Sequence, residues 1–505
     1  MPSLNWIGKE QVVNHDKEVP FRLLKKVKSA SFGESSQNLI IHGDNLEALK
    51  ALMPYYHNQI KCIYIDPPYN TGNEKWVYND KVNSPKIKKW FGKVVGGELE
   101  DLCRHDKWLC MMYPRLKLLR ELLSEKGIIF ISIDDSEVSH LKDIMNEIYD
   151  EKNFIAQIIW HRKRGKDNSA KYFSRVHEYV LVYAKNIDFA EIKKIELEQR
   201  TKDAYRNPDN DARGPYRLLG AWARGTQGGS RYSFVSKSGK KFSEKLWLVN
   251  KETMKKYDEE KRLVFVGKNV YRKLFLSEHG GAIPETIWLD TSNAANASDE
   301  IKVIFGEQIF ETPKPTPLIK RIIQISTDKD SIILDSFAGS GTTANSVMKL
   351  NKEDKGNRKF ILIEIEDKVA KNITVERIKK SIKKFRYNDG FEFCELDKPL
   401  FNEDGQIEEE CTFEQLATYI YFTETQTNID KSNIKGNFIG DYDDISFYLI
   451  FKEKGNNILN KSFVEKIKSN KQRKVIYADK CLVDDKTLEK NNIQFKQIPY
   501  EVKVY

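Results

Sequence analysis

The sequence predicts an α/β protein whose core is a doubly wound, mainly parallel sheet, with its two halves separated by an inserted domain and followed by a small C-terminal α/β domain. Wholly apolar runs at 62–65, 128–133, 332–334 and 360–363 read as strands buried on both faces. Segments of helical period lie between them, as at 108–126, where Leu116, Leu119 and Leu123 form one stripe that stops at Gly127. Three of the apolar runs end in a carboxylate, Asp66, Asp335 or Glu364, and the carboxyl ends of strands are where open α/β sheets bind ligands.

At 505 residues the chain is too long for one ordinary core, and three or four domains are expected. Its hydrophobic fraction of 40% suffices for globular folding, yet no apolar run approaches the roughly 18 residues of a membrane helix. The N-terminus lacks a basic-then-apolar leader, so a cytoplasmic protein without membrane attachment is expected. The six cysteines are scattered, which argues against disulfides and zinc, and no metal is expected. A net charge of +10 is compatible with a polyanionic partner.

In chain order, residues 1–35 are mixed. A short strand at 39–41 leads to Gly43-Asp44-Asn45 and a helix with Leu46, Leu49 and Leu52 on one face. Asp44 is placed either to meet a ligand or to cap that helix, and the two roles are compatible. The strand at 62–65 must stop at Asp66-Pro67-Pro68-Tyr69, because two prolines lock the backbone and remove two donors. A carboxylate, a prolyl carbonyl and an aromatic ring then stand together, a set suited to a flat base bearing an amino group. The segment 84–100, with lysines around Trp90-Phe91, reads either as a flap over a ligand or as a solvated loop.

From Trp160 the character changes. Arg162-Lys163-Arg164 is a basic, aromatic-flanked run of the kind that tracks phosphates, and Arg213, Arg224, Gln227 and Arg231 could reach phosphates or base edges. Strand and helix rhythm returns after Thr312-Pro313-Lys314-Pro315. The strand at 332–334 ends in Asp335-Ser336-Phe337-Ala338-Gly339-Ser340-Gly341-Thr342, whose glycines let backbone approach a ligand at a helix N-terminus. Glu364, at the end of the next strand, has the spacing of an acidic residue that grips ribose hydroxyls. This geometry serves S-adenosylmethionine and NAD alike. Asp335 beside the loop would repel a pyrophosphate and attract a methionyl ammonium, which argues for S-adenosylmethionine. The acidic patch and alternating segments of 386–505 carry no chemical constellation and read as a packing or oligomerisation module.

The Asp66-Pro67-Pro68-Tyr69 stretch resembles the motif with which amino-group DNA methyltransferases hold a flipped adenine. Its position far ahead of Phe337-Ala338-Gly339-Ser340-Gly341-Thr342 resembles the permuted order of the β-class. Residues 66–80, Arg206-Asn207-Pro208-Asp209-Asn210-Asp211, Pro284-Glu285-Thr286-Ile287-Trp288 and the C-terminal region are similar to the modification subunit of Type III restriction-modification systems, although this chain is shorter than the typical subunit. The resemblance implies a Rossmann-like sheet with a catalytic half at 36–160, a target-recognition domain at 161–309, a cofactor half at 310–385 and a C-terminal domain at 386–505. It implies methyl transfer from S-adenosyl-L-methionine to adenine N6 in double-stranded DNA by base flipping, with Asp66, Pro67, Pro68 and Tyr69 at the amine. Asp44, Asp66, Lys314, Asp335, Phe337, Gly339, Gly341, Thr342 and Glu364 would surround the cofactor, and Arg162, Lys163, Arg164, Arg213, Arg224, Gln227 and Arg231 the DNA. A homodimer and a restriction partner with helicase and nuclease are implied, since the chain has no phosphate-binding Gly-x-x-x-x-Gly-Lys loop of its own. Asp rather than Ser at the first motif position favours adenine over cytosine N4. A solitary methyltransferase and a mainly sequence-recognising subunit are the alternatives, followed by cytosine-N4 methylation, RNA methylation and a non-catalytic DNA-binding protein.

Overall fold

The structure, a computed structural model, describes residues 4–33, 37–71, 104–165, 169–197, 199–223, 228–402, 404–452, 457–467 and 472–498. The flap read at 84–100, Arg224 and Gln227 lie outside the described residues. The chain forms two compact units, Met1–Glu191 with Glu285–Tyr505, and Ile192–Pro284.

The larger unit is built on a ten-stranded sheet. Its strands are β1 (Arg22–Lys26), β2 (Leu39–His42), β3 (Ile60–Ile65), β4 (Leu123–Ile133), β5 (Phe154–His161), β6 (His177–Ala184), β7 (Ile287–Trp288), β8 (Ile332–Asp335), β9 (Lys359–Glu364) and β10 (Glu392–Pro399), in the order β1-β10-β2-β9-β8-β3-β4-β6-β5-β7. Every pair from β10 to β4 is parallel. The chain leaves β3 towards β4 on one side and leaves β8 towards β9 on the other. Right-handed crossovers therefore place the two connections on opposite faces and make the β3/β8 boundary the switch point. Register pairs Ile63 with Leu334 and Leu334 with Ile361, so Asp66, Asp335 and Glu364 emerge from one edge of the sheet.

Ile63, Ile65, Ile131, Leu334, Ile361 and Ile363 are fully buried, as are Leu49, Leu52, Leu116 and Leu119 of the covering helices. At about 1.5–3 kcal/mol for each such side chain, the strands that carry the carboxylates are among the most firmly held parts of the fold.

Boundaries differ from the sequence reading where apolar runs were long enough to join the sheet. Val180–Ala184 is wholly buried, so β6 and its partner β5 extend the central sheet and the separate unit spans Ile192–Pro284 rather than 161–309. β1 and β10 likewise draw the N-terminal segment and residues 392–399 into the same sheet. The helix predicted over 108–126 ends at Leu122, because Leu123 already pairs with Ile60 before a bulge brings Ile128 opposite Cys62.

Strands Phe438–Tyr442, Ile445–Leu449, Arg473–Ala478 and Ile493–Gln497 form a C-terminal four-stranded sheet. Leu416, Ile420, Phe447 and Val475 pack there in one cluster with Phe21, Leu23 and Ala51. The smaller unit has a three-stranded antiparallel sheet, Tyr216–Gly220, Asn269–Phe275 and Leu263–Val266, and a hairpin of Ser230–Val235 with Lys241–Trp247. Phe234, Phe242, Trp247, Met254 and Val270 make its core. No described helix is long and apolar enough to cross a membrane.

Candidate active site

β3 ends at Asp66, where Pro67 and Pro68 withdraw two donors from the ladder, and Asn70 turns the chain at φ 59°. Trp108 Nε1 donates to the Pro68 carbonyl at 2.7 Å and pins the turn. Lys314 Nζ donates to both oxygens of Asp66, at 2.7 and 2.6 Å. The Tyr69 hydroxyl lies 2.9 Å from Asp66 Oδ1 and 3.1 Å from Glu178 Oε2, and Lys314 Nζ stands 5.0 Å from the centre of its ring. Glu178 also pairs with Arg162 Nε at 3.0 Å and lies 3.7 Å from Lys314 Nζ. Two carboxylates thus face two cations around one phenol.

Burial raises the Glu178 carboxyl above its ordinary value, with Lys314 opposing the rise. Burial works against the Lys314 ammonium, but Asp66 and Glu178 outweigh it and its pKa stands above normal. Burial and the neighbouring carboxylates drive the Tyr69 phenol well up, so it remains a neutral donor.

On the other side of the switch point, Asp335 accepts from the Phe337 N–H at 3.0 Å and from the Thr343 hydroxyl at 2.5 Å. Glu364 accepts from the N–H groups of Gly339 and Glu366, at 2.8 and 3.0 Å. Burial pushes both carboxyls up to about 7 against these hydrogen bonds. Gly341 takes φ 77°, and a Cβ there would stand 3.1 Å from Thr374 Cγ2. Behind the loop, the fully buried Arg377 donates to Ser340 Oγ at 2.7 Å and Thr342 Oγ1 at 2.8 Å. Both half-sites open into one cavity of about 650 Å³, within the range of small-molecule sites.

Asp66, Pro67, Pro68, Tyr69, Lys314, Asp335, Phe337, Gly339, Thr342 and Glu364 all line this cavity, as does Arg162. Lys314, read as a cofactor ligand, is turned onto Asp66. Asp44 is not among the lining residues: its carboxylate accepts from the Leu46 N–H at 2.8 Å, capping the helix Asn45–Tyr56, and pairs with Arg115 at 3.3 Å. Of its two roles, the structure displays the cap.

Lys163, Arg164 and Arg231 are exposed. Arg213 is committed within its own unit, with Nε and Nη2 on Asp211 at 2.9 and 2.8 Å and Nη1 on the Glu260 carbonyl at 2.9 Å. All of these partners lie within Ile192–Pro284.

Sequence reasoning missed Glu178, Arg377 and Trp108. Glu178 had a signal, a single acid at the head of the apolar run 177–184. Arg377 had none, because Lys379, Lys380, Lys383 and Lys384 make its helix look solvated.

Fold and site together define a doubly wound α/β protein with a carboxylate-lined crevice at its switch point, the place where such sheets bind nucleosides. Residues 60–376 match the family model described as DNA methylase (N6_N4_Mtase), and the chain belongs to that family. It is 36% identical to the Type III restriction-modification enzyme StyLTI Mod subunit of Salmonella typhimurium over 68% of this chain and 55% of that protein. The EcoPI Mod subunit of Escherichia phage P1 is 35% identical over 73% of this chain and 64% of its own length. The Type II methyltransferase M.KpnI of Klebsiella pneumoniae is 34% identical over 69% of this chain and 85% of its own. The chain thus aligns with less than two thirds of each of the two Mod subunits.

Proposed function

We propose that this chain transfers a methyl group from S-adenosyl-L-methionine to adenine N6 in a specific sequence of duplex DNA, as the modification subunit of a Type III restriction-modification system. The observation that carries this reading is the opening of the Asp66–Tyr69 turn and the Asp335, Gly339 and Glu364 cradle into one cavity. The cradle's donor set suits the cofactor: two carboxylates for an ammonium and for ribose hydroxyls, and a glycine whose Cβ would stand 3.3 Å from Phe310 Cζ. When bound, S-adenosyl-L-methionine supplies an electrophilic methyl group. Asp66 and the Pro67 carbonyl would accept from the two amine hydrogens and so hold N6 with its lone pair free to take a methyl group, and the methylated amine would then release one proton to solvent.

Lys314 donates to both Asp66 oxygens, and the amine would share one of them with it. Withdrawing a base from the stack costs a few kcal/mol, of which stacking on Tyr69 offsets about 1–3 kcal/mol. Most of the rate gain is positional. We assign Ile192–Pro284 to target recognition, the C-terminal domain to homodimerisation, and cleavage to a separate helicase-nuclease subunit.

A second reading is a methyltransferase that works outside a Type III complex, supported by a match that spans 85% of M.KpnI, a protein described as a Type II methyltransferase. Single-molecule sequencing of DNA from a methylation-free host expressing the chain alone tests both. N6-methyladenine at one short motif supports adenine methylation, and unmodified DNA from a chain that binds cofactor overturns it. Strand asymmetry of the motif together with a co-purifying helicase-nuclease favours the Type III reading over the solitary one.

A further inference from the structure

We propose that His105, Glu137 and His140 form a binding site for a divalent transition-metal ion of the zinc type. The site goes beyond the methyltransferase reading and does not depend on it. The Glu137 carboxylate is fully buried, with His105 Nδ1 at 2.6 Å from Oε1 and His140 Nδ1 at 2.8 Å from Oε2. All three donor atoms lie within 4.8 Å of one another. Two imidazole nitrogens and a carboxylate make a borderline-soft set that suits zinc, cobalt or iron(II) better than magnesium or calcium. Around a tetrahedral ion with bonds of roughly 2.1 Å, neighbouring donors stand roughly 3.4 Å apart. Each histidine–Glu137 distance reaches that spacing by opening less than an ångström.

Three features make this a built site. The Asn70 amide donates to Glu137 Oε1, the outer hydrogen bond that fixes a ligating carboxylate. The histidine side chains are 36% and 35% exposed, which gives an ion an entry path and leaves a fourth position to water. The ligands come from separate elements: His105 from the first turn of Arg104–Leu122, Glu137 from the loop after β4, and His140 from the first turn of Val138–Tyr149. Asn70 follows Tyr69 directly, so a bound ion ties the β3 exit to the β4 exit. The other such cluster among the described residues, His42 with Asp367 and Glu395, already holds a cation: Lys371 Nζ lies 2.6 Å from Asp367 and 2.8 Å from Glu395. Scattered cysteines pointed the sequence reading away from any metal, and ligands at 105, 137 and 140 carry no motif spacing that would have corrected it.

The test is titration of the untagged, metal-stripped full chain with Co2+, followed by visible absorption and by competition with Zn2+. One equivalent of Co2+ with the absorption of a nitrogen- and oxygen-ligated ion, displaced by Zn2+, is expected. His105→Ala and His140→Ala each weaken binding at least tenfold, while His42→Ala leaves it unchanged; circular dichroism checks that the variants fold. No stoichiometric binding to the wild type, undiminished binding in both site variants, or loss in His42→Ala overturns the proposal.

Discussion

Lys314 and Asp66, 248 residues apart in sequence, meet end to end, with the ammonium on both carboxylate oxygens. The pair bridges the two halves of the permuted sheet, and Glu178 stands on its far side at 3.7 Å from the lysine. Lys314→Met would leave two carboxylates facing one another in a largely buried site. Breaking such a pair typically costs about 3–5 kcal/mol. We expect a loss near the lower figure at neutral pH in urea unfolding, shrinking as the pH falls and Glu178, already raised by burial, takes up a proton. Lys314→Arg retains most of the stability. An unchanged unfolding midpoint in the methionine variant would show that the bridge contributes nothing.

On the proposed function, Asp66→Ala removes an acceptor for the amine. Removing one preorganised hydrogen-bonding group from an active site typically costs about 10²–10³ in rate. A fall of at least about 10² in methyl transfer is expected under single-turnover conditions, and near-normal transfer would remove Asp66 from the reaction.

Asp335 and Glu364 give the site a pH signature. Their ordinary values are 3.8 and 4.5, and burial raises both to about 7 in the folded chain. Between these limits the folded chain holds protons that the unfolded chain has released, so stability from this source is full at low pH and is lost as the pH rises through about 7. Asp335→Asn should therefore raise the melting temperature of the ligand-free protein at about pH 8 and leave it little changed at about pH 4. A cofactor ammonium prefers the deprotonated carboxylates, so binding tightens with rising pH and releases protons. Calorimetry in buffers of different ionisation heat reads that release, and pH-independent binding argues against Asp335 and Glu364 as the ammonium and ribose ligands.

How much of this was legible depended on whether the signal was local. Strands ending at Asp66, Asp335 and Glu364 stood out because an apolar run stopped at a carboxylate, and pairing of Ile63 with Leu334 makes one site of them. The partner of Lys314 was not legible, since nothing near 314 points to residue 66. Glu178 and Arg377 acquire their roles from tertiary burial alone. The pairing of Arg213 was not legible for the converse reason: a cationic run looks free in sequence, but Asp211, two residues earlier, holds the guanidinium.

Arg377 supports the glycine loop from behind. Burial lowers its pKa to about 10, which leaves it cationic at neutral pH, and Glu300 lies 3.4 Å from Nη2. Arg377→Leu would leave the Ser340 and Thr342 hydroxyls and the Glu300 carboxylate short of a donor. A loss of about 3 kcal/mol in chemical denaturation is expected, with cofactor affinity falling more than tenfold in the fraction that remains folded. If affinity held while stability fell, the loop would not depend on this support.

The DNA contacts can be sorted by salt dependence. Each phosphate contact contributes about 0.9 to the slope of log affinity against log salt. Lys163→Ala, Arg164→Ala and Arg231→Ala remove exposed cations, and each should flatten the slope by about one if the residue touches the backbone. Arg213→Ala removes a side chain whose donors are spent on Asp211 and Glu260, so it should destabilise Ile192–Pro284 by about 1–3 kcal/mol and leave the slope unchanged. A flatter slope with unaltered stability in Arg213→Ala would mean that the guanidinium leaves Asp211 for phosphate when DNA binds. In that case the internal pair is the resting state of a contact, and the residue belongs to the interface after all.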